Sequence, residues 1–473
     1  MTPQLAPKRS ATDQVVVRRN PATGEIVSQE PAHDLAACRR FTARAAAAFP
    51  SWSSAPVAVR SEALIRIASE IETMRDKFRR AMIEEIGAPA AWADHNVTFA
   101  AHLLRYVAEA AQDLGKLHPI GSEQGCESWA ERVPCGVCLG IAPWNAPLIL
   151  GVRAFAVPIA CGNTVLLKGN EIAPRTYRLI GEAVAGAGLP RDVVQVFLCP
   201  AEDSESIVDA LIENPVVRRV NFTGSTRVGR RIANLCARHL KRPLLELGGQ
   251  APMVVLEDAD LDAAAEAAVR GAYLNQGQIC MSTERLIVAE AVADDLIARL
   301  EAKRAALVVG DPALPSTDLG PVVGIEAADR LAGLVGDAMS QGARLIGGGG
   351  TRDAFFEPTL IDGVEPGMRL YMEEVFGPIL SVTRVASDHE AVTVANDSEY
   401  GLSAAVFSQD PDRAKRIARQ IHSGICHING CTVDDDPRAP FGGVKSSGYG
   451  RFGGSWSFEE FTELRWITST HDP

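Results

Sequence analysis

The chain of 473 residues carries 47 Lys plus Arg against 59 Asp plus Glu, a formal net charge of −12 at pH 7. This charge argues against nucleic acid as a partner, because a polyanion and an acidic protein repel each other. No apolar stretch approaches the roughly 18 residues that a membrane span needs, and the N-terminus lacks an apolar signal segment. The ten cysteines show no disulfide-framework spacing. We therefore expect a multi-domain cytoplasmic protein with reduced thiols and no membrane partner.

The first part of the chain is predicted to be helical. Residues 35–114 are rich in Ala, Leu, Ile and Arg at helical spacing, and the run 61–87 ends in Gly87, as helices commonly do. From Cys135 onward, short apolar runs alternate with helix-like segments, which is typical of βαβ units and a parallel sheet. A second alternating block over 261–430 indicates a second α/β domain. The strand-like end of run 456–470 would leave an unpaired edge, so we expect pairing with another subunit.

An anion site is predicted where the strand-like run VVRRVNFTG leads into GSTRVG. Ser225 and Thr226 are candidate helix N-caps, and Gly224 and Gly229 flank the turn. Backbone N–H groups and the positive end of a helix would face a pyrophosphate. Two arginines follow the second glycine, which excludes a Walker A loop, and Thr226 stands where the Rossmann fingerprint requires glycine. A plain strand-to-helix turn is the alternative.

Four polar residues stand at the ends of strand-like runs. Lys168 and Glu171 follow NTVLL and could bond the hydroxyls of a ribose, unless they belong to a solvated loop. Glu246 precedes two glycines, which would let a ligand approach closely. Asn145, in the sequence PWN, could donate to an oxyanion. A surface or capping Glu and a turn Asn are the alternatives.

The stretch NQGQICMSTERL contains one cysteine, Cys280. A free cysteine is often only a small buried apolar residue, and its own flanks do not make Cys280 a nucleophile. The order of motifs along the whole chain is more specific. PWN, LLKGNE, FTGSTRVG, ELGG, GQIC, EEVFGP and PFGG follow one another as they do across the aldehyde dehydrogenase superfamily, which the chain resembles over nearly its whole length.

The resemblance implies an α/β fold with a Rossmann-like NAD-binding domain, an α/β catalytic domain and a small β oligomerisation extension. The implied boundaries are 1–118 and 138–246 for the NAD-binding domain, 247–445 for the catalytic domain, and 119–137 with 446–473 for the oligomerisation or bridging segment. A homodimer or homotetramer is implied as well.

The resemblance also implies the chemistry. Cys280 would attack the aldehyde, Asn145 and the Cys280 N–H would stabilise the oxyanion, and Glu246 would activate the water that cleaves the resulting thioester. Glu374 matches the contact to the nicotinamide ribose, and Phe376 matches a residue packing near the nicotinamide, with core packing as its alternative. The other implied cofactor residues are Ile141, Trp144, Lys168, Glu171, Gly224, Ser225, Gly229 and Leu247. Since a carboxylate facing the 2′-hydroxyl would repel a 2′-phosphate, we expect NAD rather than NADP. No metal is expected.

Several stretches resemble a narrower group, the vanillin, salicylaldehyde and benzaldehyde dehydrogenases of bacteria. They are APWNAPLILGVRAFAVP, NQGQICMSTERL, HINGCTVDDDP, PFGGVKSSGYGRFGG and EFTELRWIT. This resemblance implies an aromatic aldehyde as substrate. Arg153 would favour a phenolate or a polar ring substituent, and Trp92 would stack on the ring; a structural ion pair and a helix-packing Trp are the alternatives. Ile279, Met281 and Phe441 are expected to line the same site.

Two other functions are also compatible with the sequence. A broad or aliphatic aldehyde dehydrogenase is the first alternative, and a cysteine esterase, which needs no dinucleotide, is the second.

Three short segments depart from a simple interpretation. Gly169 and Asn170 differ from the commoner superfamily pattern, which weakens any detailed prediction of ribose selectivity from this segment. Cys135 and Cys138 lack a second pair at zinc-site spacing and are interpreted as core. The acidic run 434–436 is interpreted as a solvated loop that could also border the substrate mouth.

Overall fold

The computed structural model describes residues 15–123 and 126–470. The chain begins with an antiparallel hairpin, four helices and two further strands: β1 (Val15–Arg19), β2 (Ile26–Pro31), α1 (Leu35–Ser53), α2 (Val57–Thr73), α3 (Arg75–Ile86), α4 (Ala90–Ala110), β3 (His118–Glu123) and β4 (Cys126–Pro134). Met74 separates α2 from α3 within the predicted helical run. α3 ends at Gly87, whose φ of +68° is a left-handed conformation that favours glycine. The predicted helical start is confirmed.

A parallel sheet with helical crossovers follows, as predicted. Its elements are β5 (Val137–Ile141), α5 (Pro147–Ala160), β6 (Thr164–Lys168), α6 (Pro174–Gly186), β7 (Val194–Phe197), α7 (Ala201–Glu213), β8 (Val217–Thr223), α8 (Thr226–Arg238) and β9 (Arg242–Glu246). The strand order is β9-β8-β5-β6-β7. β5 and β6 are buried along their whole length, since helices cover both faces of a parallel sheet. Cys138 is buried in β5, which confirms its core assignment, while Cys135 is partly exposed.

The second α/β block contains β10 (Ala251–Val255), α9 (Leu261–Tyr273), β11 (Thr283–Ala289), α10 (Glu290–Ala305), α11 (Ile325–Ser340), β12 (Arg344–Gly347), β13 (Thr351–Arg352), β14 (Phe355–Phe356), β15 (Thr359–Asp362), α12 (Arg369–Met372), β16 (Ile379–Val385), α13 (Asp388–Asn396), β17 (Ser403–Phe407), α14 (Pro411–Ala418) and β18 (Ile425–Ile428). Seven of these strands form one sheet in the order β12-β15-β16-β11-β10-β17-β18, with β12 antiparallel at its edge. The prediction of a second α/β unit is confirmed.

The chain ends with β19 (Gly448–Tyr449), α15 (Trp456–Glu460) and β20 (Thr462–Thr470). β19 pairs with β9 at the edge of the first sheet, whereas β20 pairs with β4 in a separate three-stranded sheet of order β20-β4-β3. β20 exposes Leu464 and Trp466, which are 63% and 70% accessible. None of the helices in the described ranges combines the length and apolar composition of a membrane span.

Candidate active site

Parallel strands bring the predicted polar residues to one edge of the first sheet. Lys168 is the last residue of β6 and Glu246 the last of β9, while Gly224 follows β8 and Asn145 follows β5 by a few residues. Because the carboxyl ends of parallel strands share one edge, these residues lie along a common crevice. Cys280 reaches the crevice from the second sheet, on the turn that precedes β11.

Three adjoining cavities occupy the crevice. The strand-end cavity, of about 480 Å³, is lined by Ile141, Lys168, Glu171 and Ser225 among others. The middle cavity, of about 320 Å³, is lined by Glu246, Leu247, Glu374 and Phe376, and it shares Trp144 and Gly224 with the strand-end cavity. The aromatic cavity, of about 270 Å³, is lined by Trp92, Arg153, Ile279, Met281 and Phe441. Cys280 and Asn145 line both the middle and the aromatic cavity, so the thiol stands at their junction.

The turn before Cys280 has an unusual backbone. Asn275, Gln276 and Gly277 have φ of +49°, +56° and +66°, and a non-glycine residue in this region costs about 1–3 kcal/mol. Buried hydrogen bonds hold the turn: Asn275 Nδ2 donates to the Asn145 carbonyl at 3.1 Å, and Gln276 Nε2 donates to the Pro321 carbonyl at 2.8 Å. Backbone strain held by surrounding contacts is common at functional sites.

Cys280 and Glu246 form a titratable pair, in which Glu246 is buried and Cys280 is partly exposed. Both carboxylate oxygens of Glu246 are buried, and no N–H or O–H of the described residues donates to them. Burial raises the pKa of Glu246 to about 7. Burial also raises the pKa of the Cys280 thiol well above its ordinary value, and the Glu246 carboxylate raises it further. At neutral pH the thiol is therefore protonated and lies beside a carboxyl group that can accept its proton.

Asn145 is fixed in place by its neighbours. Its side-chain Nδ2 donates to the Gln278 carbonyl at 2.9 Å, and its own carbonyl accepts from Trp92 Nε1 at 3.2 Å. An amide nitrogen carries two hydrogens, so one remains for an oxygen bound beside Cys280. This geometry suits the predicted oxyanion donor.

Glu374 and Phe376 lie together on the wall of the middle cavity. Glu374 Oε1 accepts from the Gly249 N–H at 2.8 Å, and burial raises the pKa of Glu374. Phe376 has a φ of +44° and packs edge-to-face on Trp144 with 5.8 Å between ring centroids. A Cβ on Gly248 would lie 2.6 Å from Glu374 Oε2, so a side chain at this position would fill the space beside Glu374.

The strand-end cavity contains the predicted ribose residues. Lys168 Nζ lies 3.3 Å from Glu171 Oε2. Ser225 is the N-cap of α8 without a side-chain capping bond, and Thr226 is the first helical residue, so the helix N-terminus faces this end of the crevice. Gly229 is not among the residues that line these three cavities. A side chain there would collide with Leu247, so Gly229 instead allows close packing of α8 against the residue after β9.

The five predicted substrate residues all line the aromatic cavity, and the acidic run lies beside them. Arg153 Nη2 is 2.6 Å from Asp435 Oδ2, and the guanidinium carbon lies 4.3 Å from the centroid of Phe441. Asp434 pairs with Arg270 at 2.9 Å, and both residues line the cavity. Residues 434–436 lie in a loop, as predicted. Asp434 is 43% exposed and Asp435 is 15% exposed, and both line the cavity, so the loop also borders this cavity, as the alternative interpretation has it.

His95 and Arg330 are among the residues of the site that were not predicted from the sequence. His95 lines the aromatic cavity and stacks on Trp92 at 5.4 Å with an interplanar angle of 21°, and burial lowers the pKa of its imidazole. Its position three residues after Trp92 on a predicted helix was an available signal, since such residues share a face. Arg330 lines the middle cavity from α11, and no motif pointed to it.

The polar groups along the crevice are suited to bind a dinucleotide. The N-terminus of α8 faces the strand-end cavity and could bind a pyrophosphate. Lys168 and Glu171 could bind ribose hydroxyls. Gly248 has no side chain and so leaves room beside Glu374. Among the described residues no group of His, Cys, Asp and Glu side chains is arranged to hold a metal ion.

Residues 8–467 match the model of the aldehyde dehydrogenase family. A vanillin dehydrogenase of Pseudomonas fluorescens is 51% identical over 457 residues, which covers 96% of this chain and 94% of that protein. A salicylaldehyde dehydrogenase of Pseudomonas putida is 43% identical over 461 residues, covering 97% and 95%. The crystal structure of a salicylaldehyde dehydrogenase from Pseudomonas putida G7 complexed with salicylaldehyde superposes with a TM-score of 0.95 at 42% identity, covering 97% of this chain and 95% of that one.

Proposed function

The chain belongs to the aldehyde dehydrogenase family, and from this premise we propose that it oxidises an aromatic aldehyde to the carboxylic acid with NAD as hydride acceptor. The observation that carries the proposal is the position of Cys280 between two different cavities. The aromatic cavity would hold the aldehyde on one side of the thiol, and the middle cavity would hold the nicotinamide on the other.

The first half of the reaction uses Cys280, Glu246 and Asn145. The thiol proton passes to a buried carboxylate whose pKa of about 7 suits a proton acceptor at neutral pH. The thiolate sulfur then bonds to the carbonyl carbon, and the free hydrogen of Asn145 Nδ2 bonds the oxyanion of the thiohemiacetal. A bound nicotinamide supplies the hydride acceptor. Loss of hydride from this oxyanion leaves the acyl group on Cys280 as a thioester, and Glu246 releases the thiol proton to solvent before the second half begins.

The second half of the reaction is hydrolysis of that thioester. Glu246 lies beside Cys280 with neither oxygen engaged by an N–H or O–H donor of the described residues, so its carboxylate is available to take a proton from water. The water oxygen attacks the acyl carbon, the carbon–sulfur bond breaks, and the acid leaves while the thiol regains its proton. One carboxylate thus serves as base in both halves.

The aromatic cavity supports a ring-bearing substrate. Trp92, Phe99 and Phe441 provide ring faces and edges, and the aliphatic side chains of Ile149 and Leu150 complete an apolar wall. Arg153 lies in that wall and would donate to a hydroxyl, phenolate or methoxy oxygen on the ring. The names of the relatives, vanillin and salicylaldehyde dehydrogenases, agree with such a substrate.

The choice of NAD rests on the strand-end cavity. The carboxylate of Glu171, held by Lys168, would bond the 2′-hydroxyl of the adenosine ribose and repel a 2′-phosphate. Arg227 and Arg231 line the same cavity, and the charge of Arg231 is offset by Glu205 and Asp209.

A homo-oligomer is part of the proposal. β20 presents the apolar side chains of Leu464 and Trp466 on the outer strand of the three-stranded sheet. An exposed apolar strand at a sheet edge is suited to pairing with another subunit. Light scattering of the purified protein gives its mass in solution, and a monomer would contradict this part of the proposal.

The function is tested by a panel of aldehydes. Vanillin, salicylaldehyde, benzaldehyde and a short aliphatic aldehyde are each supplied with NAD or NADP, and the reduced cofactor is followed by absorbance. We expect kcat/KM to be highest for an aromatic aldehyde with NAD. Preference for the aliphatic aldehyde would point to a broad or aliphatic enzyme. Hydrolysis of an ester without dinucleotide, in the absence of any aldehyde oxidation, would refute the proposal.

A further inference from the structure

Glu284 is a buried carboxylate four residues after Cys280, and it has no part in the mechanism above. It lies on β11 and is 3% exposed. Its two oxygens each accept one backbone N–H: Oε2 accepts from Val375 and Oε1 from Phe376, both at 2.8 Å. A carboxylate is well suited to bind two adjacent N–H donors, because it has two acceptor oxygens and no hydrogen.

The segment that Glu284 holds is the turn 374–376. Arg330 binds the same turn, donating to the carbonyls of Glu374 and Val375. The N–H groups and the carbonyl groups of the turn are therefore fixed separately, by a carboxylate and by a guanidinium. Phe376 needs such support, because its φ of +44° is unfavourable for a non-glycine residue.

The held turn presents two side chains to the middle cavity. Glu374 is aimed at the Gly249 N–H, and Phe376 is packed against Trp144. A rotation of the peptides between them would move both side chains together. The hydrogen bonds of Glu284 thus act on the two peptides that set the positions of both side chains in this cavity.

We propose that Glu284 is a positioning residue for the nicotinamide half of the cofactor, acting by fixing the turn that carries Glu374 and Phe376. This inference rests on the proposed function, since it requires the middle cavity to bind the nicotinamide riboside. Burial and the neighbouring Glu374 carboxylate raise the pKa of Glu284. A buried carboxylate beside another carboxylate is costly, and its two hydrogen bonds to the turn, with Arg330 nearby, offset that cost.

The test compares two ligands, of which only one contains the nicotinamide riboside. NADH contains the nicotinamide riboside and ADP does not, so the ratio of their dissociation constants isolates the middle cavity. Titration calorimetry of the full-length protein gives both constants without turnover. In Glu284→Gln the amide keeps the size of the side chain but turns an NH₂ toward one of the two N–H donors. We expect the ratio of the NADH to the ADP dissociation constant to rise about tenfold, as for a lost charge-assisted hydrogen bond.

Glu85 provides a matched control. It is also fully buried and also accepts two backbone N–H groups, those of Arg175 at 2.6 Å and Thr176 at 3.1 Å, at the start of α6. Glu85→Gln should lower the melting temperature without changing the ratio, because it does not touch the turn. Glu284→Asp keeps the charge but has a shorter side chain, which weakens the hydrogen bonds to the turn. It replaces Glu284→Gln in the experiment if that variant does not fold, and it should also raise the ratio.

The outcomes distinguish a failure of the proposed function from a failure of the role proposed for Glu284. A wild-type protein that binds no NADH contradicts the proposed function itself. Binding of NADH by the wild type, with an unchanged ratio in the folded Glu284 variant, overturns the role of Glu284 alone. An equal rise in the Glu85 and Glu284 variants would also overturn it, because the effect would then come from general loosening of the fold.

Discussion

Replacing Arg153 with alanine removes one partner of the ion pair in the wall of the aromatic cavity. Arg153 Nη2 lies 2.6 Å from Asp435 Oδ2, and the two side chains are only 5% and 15% exposed. The substitution leaves the Asp435 carboxylate without its cation in a largely buried position. Breaking such a pair from one side costs about 3–5 kcal/mol. We therefore expect Arg153→Ala to lower the melting temperature clearly.

The same substitution should change substrate preference. Asp435 engages only Nη2, and no other acceptor for this guanidinium is found among the described residues. The remaining N–H groups of Arg153 can thus bind an oxygen on the substrate ring. Loss of one charge-assisted hydrogen bond costs about 1.5–3 kcal/mol, or about ten- to a hundredfold in kcat/KM. Salicylaldehyde or vanillin should lose this factor, whereas a short aliphatic aldehyde should not.

The double variant Arg153→Ala with Asp435→Ala separates the two effects. It leaves no unpaired carboxylate, so part of the lost thermal stability should return. The kcat/KM of salicylaldehyde relative to the aliphatic aldehyde should stay low, because the donor is still missing. The assay is that ratio together with the melting temperature for both variants. Recovery of the ratio in the double variant, or equal losses for every aldehyde in Arg153→Ala, would show that Arg153 is purely structural.

Four further predictions concern the reaction and the cofactor. Cys280→Ala should abolish NADH formation while calorimetry shows unchanged NADH binding; turnover above a few percent would mean that another nucleophile operates. Glu246→Gln should give a rapid burst of NADH and then a slow steady state, and a wild-type steady-state rate would mean that another group activates the water. Because a carboxyl group with a pKa of about 7 is protonated below that pH, wild-type kcat should fall as the pH falls through about 7, and a flat profile there would argue against Glu246 as the base. Glu171→Ala should raise kcat/KM for NADP relative to NAD, whereas an unchanged ratio would place cofactor selection elsewhere.

The fold could be predicted from local patterns. Alternating apolar and helical runs gave two α/β units, and the residues at the strand ends met at one edge, because parallel topology requires it. Cys280 was different. Its own flanks did not distinguish a nucleophile from a core thiol, and only the order of seven motifs along the chain did.

The pairings inside the site could not be predicted, because they join distant parts of the chain. Asp435 looked like part of a solvated acidic run, yet its partner Arg153 lies 282 residues away. Glu284 lies four residues after Cys280, but the backbone N–H groups from which it accepts hydrogen bonds are 91 and 92 residues further along. Gly229 was predicted to contact the cofactor, and the flanks of the motif did not show that a side chain at this position would collide with Leu247. Periodicity reports which face of an element is buried and says nothing about which charged partner meets it there.

Burial explains how the proposed nucleophile is controlled. A thiol reacts as its thiolate, but burial and the Glu246 carboxylate both favour the neutral form of Cys280. The cost of ionising this thiol must therefore be offset by the reaction itself. On the proposed mechanism, the proton moves to Glu246 while the negative charge moves from sulfur to the substrate oxygen beside Asn145. The buried site would thus disfavour a free thiolate when no aldehyde is bound and stabilise the charge only after it has moved to the substrate.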